Sequence, residues 1–301
     1  MRARLSIALA LMLSGAAGAA SRTGSPAVPT EVPGRDLPVV RQHTYRMAGK
    51  IRMLLLWVGR DDVGSGVIKW RGSGENKAIE ILIGSDPKRA PSQLNKWGYL
   101  VEAMHGVESS VVGLISQEND DRLSDVKADL KTRKDQRAFD TIRGHVGTAE
   151  GIARVGTLYA PSHLTYHEAD AVLGRVLADS SLPVKRVARR DHIRPGFLTS
   201  LTELITGSLD RKNDNTRIQY IHGDRLFELR LLESTRLGRF ERDGRTWQNV
   251  VRARFETGEA GNRSGTRFEL VYGANGPLAG IPILISYQPK WWLQVDLVLN
   301  S

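Results

Sequence analysis

The chain has 301 residues, 43 Lys and Arg against 33 Asp and Glu, a formal net charge of +10 and no cysteine. Without a thiol, this chain is excluded from disulfides, thiolate metal centres and cysteine nucleophiles. At 41% hydrophobic and 25% charged residues the composition is globular and long enough to bury a sizeable core, while the basic excess bears on anionic partners and not on fold.

In chain order, Arg2 and Arg4 precede the apolar run Leu5 to Leu13, and small residues from Gly15 to Ala20 include Ala17-Gly18-Ala19. This pattern predicts a secretory signal peptide over residues 1–20, and its apolar run is too short to span a bilayer. No cysteine follows it for a lipid anchor, so the expected location is periplasmic or secreted. Losing Arg2 and Arg4 leaves a charge of +8. Residues 21–38 are rich in Pro, Gly, Ser and Thr and predict a flexible linker. The remainder, 39–301, reads as one domain in three stretches: strands and helices over 39–160, a helical segment over 161–207, and antiparallel strands over 208–301.

HTYRMAGKIRMLLLWV predicts one long strand or two. GVIKWR and AIEILI, which puts Ile79, Ile81 and Ile83 on one face, predict a hairpin joined by RGSGEN. Leu94, Trp97, Val101 and Met104 fall at helical spacing, with Gly106 as a stop, which predicts a helix there. VESSVVGLIS predicts a strand, and Leu123, Val126 and Leu130 in a highly charged stretch predict a solvated surface helix. IRGHVGTAEGIARVGTLYA predicts strand again. Thr165 and Glu168 form a capping box ahead of the stripe Ala169, Val172, Leu173, Val176 and Leu177, so residues 162–179 predict a helix. GFLTSLTELITG predicts a second, with Leu198, Leu201, Leu204 and Ile205 inward and Gly207 as its end.

From Thr216 onward the period is two. Phe227, Leu229 and Leu231 alternate with polar neighbours, Asp243-Gly244 is a hairpin signal, and Phe268, Leu270 and Tyr272 alternate again. Near the end Trp291, Leu293, Val295, Leu297 and Leu299 share an apolar face, which makes Trp291 core. Trp292 falls on the wet face with Gln294, Asp296 and Asn300. The expected fold class is therefore α+β: a large curved antiparallel sheet, a meander with the potential to close as a half-barrel, with helices covering one face.

TRFELVYGANGPLAGIPILISYQPKWWLQVDLVLN resembles the final strands of bacterial exported β-rich proteins of unknown function, in which an F-E-L-W strand, an L-P-V-R-I strand and a Y-x-P-K-W turn recur. The likeness covers roughly residues 245–301. Ile-Leu-Ile stands here where that group often carries Val-Arg-Ile. The layout also resembles periplasmic lipoprotein carriers, by analogy of architecture only. Neither resemblance implies an enzymatic activity.

No glycine-rich phosphate loop, G-x-S-x-G or H-E-x-x-H occurs, so no cofactor is implied and the expectation leans away from catalysis. Ser85-Asp86-Pro87 reads as a turn or helix start. His163 and His167, four apart, are the metal candidates of an alternative reading as a metal-dependent hydrolase, with Glu168, Asp170 or His192 to complete the site. Acid–base pairs could form from Glu102 with His105 or Asp191 with His192. Trp70 and Trp97 read as core. Trp57, in the unbroken apolar run MLLLWVGR, and Trp292 are candidate walls of an apolar ligand cavity, with Lys290 beside them. Arg186, Arg189 and Arg190, within PVKRVARRDHIRPG, are candidates for a phosphate, lipid headgroup or acidic envelope polymer. The exported compartment argues against nucleic acid. The expected role is non-catalytic binding or structural work in the cell envelope, for an apolar or amphipathic ligand such as a lipid.

Overall fold

The structure is a computed structural model and describes residues 27–53, 56–117, 135–210, 216–262, 265–290 and 292–300. The signal peptide, the charged helix expected over 118–134 and Trp291 lie outside the described residues.

Fourteen strands form one sheet: β1 (Val39–Met53), β2 (Leu56–Ser73), β3 (Asn76–Ser85), β4 (Trp97–His105), β5 (Glu108–Ser116), β6 (Gln136–Val146), β7 (Glu150–Pro161), β8 (Lys185–Ala188), β9 (Arg217–His222), β10 (Arg225–Arg242), β11 (Arg245–Glu259), β12 (Thr266–Gly273), β13 (Pro282–Lys290) and β14 (Leu293–Leu299). Their spatial order is β8-β7-β6-β5-β4-β3-β2-β1-β14-β13-β12-β11-β10-β9. Two meanders, one from each half of the chain, are thus sewn together where β1 pairs antiparallel with β14. Short turns make sequential antiparallel pairing the least demanding topology. At Asp243 and Gly244 the chain turns with φ of 50° and 73°, the left-handed pair that a two-residue hairpin of matching twist requires.

The sheet curls until its edge strands approach. Arg194, beyond β8, forms an isolated parallel bridge to Tyr220 on β9. The Arg194 amide donates to the Gln219 carbonyl at 2.8 Å and the Ile221 amide to the Arg194 carbonyl at 3.1 Å. Lys185 Nζ reaches Asp224 at 2.7 Å. The result is a nearly closed barrel, which protects edges that would otherwise invite pairing with another chain.

Two α-helices are present among the described residues, α1 (Ala169–Ala178) and α2 (Phe197–Asp210). They do not share a face of the sheet. Ile79, Ile81, Ile83, Leu100 and Val111 cluster with Phe197, Leu198, Leu201, Leu204 and Ile205 of α2. Residues on the opposite face of the same strands, Ala78, Tyr99, Val101, Ala103 and Val112, cluster with Val172, Leu173 and Val176 of α1. Because alternate strand residues face opposite ways, α2 fills the inside and α1 covers the outside. The expected one-sided helix layer is therefore corrected to a β-rich barrel with one helix on each face. Burial of each large α2 side chain contributes roughly 1.5–3 kcal/mol before chain entropy is subtracted.

The same two-sided cover explains the misread segment at 94–106. Both faces of β4 are dry, so Trp97, Val101 and Met104 imitate a helical stripe inside a continuous apolar run. Val32 and Leu37, in the stretch expected to be a linker, are buried beneath α1, and Arg35 pairs with Asp170 of that helix. The Thr165–Glu168 capping box is present. Helix α2 runs through Gly207 to Asp210, because its C-terminal carbonyls are satisfied by the barrel rather than by a glycine cap: Arg236 of β10 donates to the Leu209 carbonyl. Arg143 of β6 does the same for α1, at the carbonyls of Leu177 and Asp179.

A third cover comes from the sheet itself. The β10–β11 hairpin bends near Asn249, whose φ is 51°, and buries Phe240 and Val250 in the cluster that holds Leu284 and Val298. Its tip is latched to Asp296 on β14. Arg242 donates to Asp296 Oδ2 at 2.8 Å, Ser286 and Gln294 donate to Oδ1 at 2.7 and 2.8 Å, and Lys50 Nζ stands 3.3 Å from Oδ2. Arg46 pairs with Asp243, and Arg245 donates to the Leu299 carbonyl at 3.1 Å.

Candidate functional site

The barrel interior sets the first condition on any site. Glu102 projects inward from β4 and is 1% exposed. Its carboxylate accepts hydrogen bonds from the amides of Leu198 and Thr199 at 3.1 and 3.0 Å and from the Thr199 hydroxyl at 2.7 Å. It therefore caps the N-terminus of α2 from across the lumen, where a negative charge complements the helix dipole. Burial pushes its pKa up, and these hydrogen bonds oppose that rise. The approach is close: a Cβ on Gly196 would lie 2.3 Å from the Glu102 carboxyl, so only glycine fits. With Arg236 at the other end and Ser208 Oγ 2.5 Å from the Tyr272 hydroxyl, α2 occupies the lumen as a resident plug.

Expected acid–base pairings do not assemble. His105 lies three residues along β4 from Glu102, hence on the opposite face, where its Nδ1 is 2.9 Å from Asn76 Oδ1. Asp191 and His192 are both exposed on the loop after β8. Ser85, the last residue of β3, donates to the Leu94 carbonyl at 2.7 Å and accepts from the Lys96 amide at 2.8 Å, a loop-anchoring role. His163 sits in a turn before the helical segment, and the His167 amide serves the Thr165 cap. Both imidazoles are exposed, and among the described residues no group of three or more His, Asp or Glu could hold a metal ion.

The structure brings together a trio that nothing in the sequence signalled. Ser110 Oγ lies 3.0 Å from His145 Nδ1, and Glu108 Oε2 lies 3.6 Å from His145 Nε2. The order imitates a hydroxyl nucleophile, base and acid. Yet Ser110 sits within β5 and pairs with Ala103 on one side and His145 on the other, so its backbone belongs to the ladder and offers no donor pair for an oxyanion. Burial lowers the His145 pKa against the pull of Glu108. The trio is a cross-strand polar cluster on the outer face.

The basic segment is divided among structural tasks. Arg186 pairs with Glu150, and Arg194 binds Glu203 at 2.5 Å. Arg189 donates to the carbonyls of Val107 and Gly147, both at 2.7 Å, and of Ile193 at 3.0 Å, pinning this loop to two hairpin turns. Arg190 is exposed. A polar recess of about 300 Å³ lined by His192, Arg194, Glu203 and Arg217 lies nearby, and another of about 230 Å³ lies at the β10–β11 tip. Neither recess includes Trp57.

Trp57 stands at the lip of the barrel, where β1 and β2 run past the body of the sheet. Strand β2 pairs with β3 only from Gly64 onward, so its residues 56–60 carry β1 on one side alone, while the Val63 carbonyl accepts from the Asp86 amide at 2.8 Å. On this extension Ile51 faces Val58 on one side and Leu293 on the other, and Val295 faces Tyr287. These residues continue the inner apolar face: Tyr287 is opposite Phe268, whose ring meets that of Phe197 on α2 at 6.4 Å. An apolar track thus leaves the packed lumen at Phe197 and Phe268, crosses half-buried Tyr287, Val295, Leu293 and Ile51, and emerges at Val58 and Leu56. Leu56, Trp57 and Val58 are 73%, 41% and 54% exposed.

The two other residues expected beside Trp57 divide. Trp292 is 6% exposed and its carbonyl accepts from the Arg52 amide at 2.8 Å, so it is packed where the wet face was expected. Alternation failed there because β14 begins only at Leu293, leaving Trp292 in the turn. Lys290 ends β13, opposite Leu293, and its side chain lies outside the described residues.

No protein-family model matches the chain, and no curated protein or solved structure matches it either.

Proposed function

We propose that the protein is an exported cell-envelope protein with a non-catalytic binding role, and that its ligand is apolar or amphipathic, with lipid as the chemical class. The observation that carries this reading is the apolar track from Phe268 through Tyr287, Val295 and Leu293 to Leu56 and Val58. An apolar strip that runs from a packed interior into solvent is costly unless something covers it. Because α2 fills the lumen, the ligand engages the lip and not a deep cavity: an acyl chain lies along the track while its polar end meets the basic and polar rim.

Mass spectrometry of small molecules extracted from the purified protein tests this. The expected result is a lipid or other acyl-chain compound in near-stoichiometric amount, lost in a Leu293→Ser, Val295→Ser variant that keeps its fold. A preparation free of such compounds, and showing no thermal stabilisation by added long-chain lipid, refutes it.

A further inference from the structure

The tip of the β1–β2 extension has a second property that a ligand track does not require. No charged residue lies between Arg52 and Arg60. Leu56 and Val58 lie on one face of the hairpin, and Trp57, between them, lies on the other. All three are exposed, so the described end of β2 presents apolar side chains to solvent on both of its faces. A groove on a protein partner covers one face of a ribbon, whereas a fluid apolar medium surrounds both.

The spacing of charges agrees. Arg60 is opposite Gly49 and Leu56 is opposite Met53. At about 3.3 Å per residue those rungs stand roughly 13 Å apart. An element lying in a bilayer interface sinks about 5–10 Å. Arg60 therefore remains at headgroup height when Leu56 reaches the acyl chains, and Arg52, opposite Trp57, can extend its guanidinium back to the phosphates. Tryptophan is the side chain that favours this boundary. Asp61, the nearest acid along β2, is exposed one residue beyond Arg60, and Asp62 behind it is paired with Arg89. The chain as a whole is basic at +10.

The geometry points to docking of this hairpin tip on an anionic lipid bilayer, with Leu56, Trp57 and Val58 inserted and Arg52 and Arg60 on the phosphates. This rests on the lip being a lipid-facing surface, as proposed above, and adds that the lip meets lipid in the membrane itself.

Co-sedimentation of the full chain with vesicles of equimolar phosphatidylglycerol and phosphatidylcholine, against phosphatidylcholine alone, tests it. Binding is expected to the anionic vesicles, with at least a tenfold loss in partitioning for the Leu56→Ser, Trp57→Ser, Val58→Ser variant. Arg52→Gln with Arg60→Gln should weaken binding several-fold and flatten its salt dependence. Brominated acyl chains should quench the wild type more than Trp57→Phe. The unfolding midpoint of the triple variant should match the wild type, since its replaced side chains are exposed. Equal binding by the triple variant, or no binding by the wild type, overturns the proposal. So does a tip that instead controls self-association on a sizing column, with no vesicle partitioning, since the open edge of β2 would then dock on a second copy of the chain. Vesicle binding without a co-purified lipid would sink the ligand-binding function and leave the docking intact; a co-purified lipid without vesicle binding would do the reverse.

Discussion

Asp296 offers the most demanding test of how the barrel is closed on its outer side. Its side chain is 2% exposed and joins Lys50, Ser286, Gln294 and Arg242, which come from β1, β13, β14 and the folded-back β10 arm. Burial works against its ionisation, but the hydrogen bonds from Gln294 and Ser286 and the charges of Lys50 and Arg242 prevail and hold its pKa below the usual carboxylate value. In Asp296→Asn one oxygen can still accept from Ser286 and Gln294, while the new amide confronts the Arg242 and Lys50 donors. A hydrogen bond to a charged group contributes about 1.5–3 kcal/mol, and leaving a cation half-buried without its anion adds to the loss. Because Arg242 and Lys50 are 27% and 32% exposed, solvent returns part of it. The expected cost is about 2–4 kcal/mol at neutral pH, read as a lower urea midpoint followed by tryptophan fluorescence.

The sign with pH follows from the depressed pKa. The folded state holds the proton less tightly than the unfolded chain, so the Asp296 contribution is complete above the unfolded value. It is lost as pH falls through the lower folded value. The gap between wild type and Asp296→Asn should therefore close in acid and stay constant from neutral pH upward. Arg242→Met combined with Asp296→Asn should show a coupling of about 0.5–3 kcal/mol. An Asn variant within about 0.5 kcal/mol of wild type, or a gap indifferent to pH down to the acid limb, would refute the latch.

Glu102→Ala should destabilise by about 3–5 kcal/mol in the same urea assay, since it empties space beside α2 and strands the buried amides of Leu198 and Thr199. Its raised pKa gives the opposite pH trend from Asp296. The folded state binds the proton more tightly, so the contribution is present below the unfolded value and is lost as pH rises through the folded one. Gly196→Ala should cost a comparable amount, because its Cβ would fall within 2.3 Å of that carboxyl; a near-neutral result would mean that α2 is not held as described. Thr165→Ala should cost about 1 kcal/mol through loss of the capping box ahead of α1, measured by thermal melting.

Much of the fold was legible because its signals act within a few residues. Pleat alternation marked β3 and the strands from Phe227 to Leu299, Asp243-Gly244 marked a hairpin, and Thr165 with Glu168 marked a helix start. The segment around Trp97 was not legible, since a strand dry on both faces loses the period that distinguishes it. Of the candidate site, the sequence pointed to the segment around Trp57 and not to the track. Trp57 stood out as an aromatic in an apolar run without alternation, but the track lies on the opposite face of that hairpin, where Tyr287, Val295 and Leu293 join Ile51 and Val58 through β1–β14 and β13–β14 pairing across the length of the chain.

Taken by itself, the amino-acid order determined a cysteine-free, basic, strand-dominated chain with two amphipathic helices after its first meander, because turn chemistry and side-chain period are local. Only the tertiary structure decided which faces are wet. Asp296 and Trp292 occupy positions that alternation assigns to solvent, yet both are buried, Asp296 beneath an arm whose Arg242 lies 54 residues away. Glu102 was a candidate acid until α2 entered the barrel and made it a cap. Burial is a property of what folds over a residue, and that partner is chosen by the whole chain.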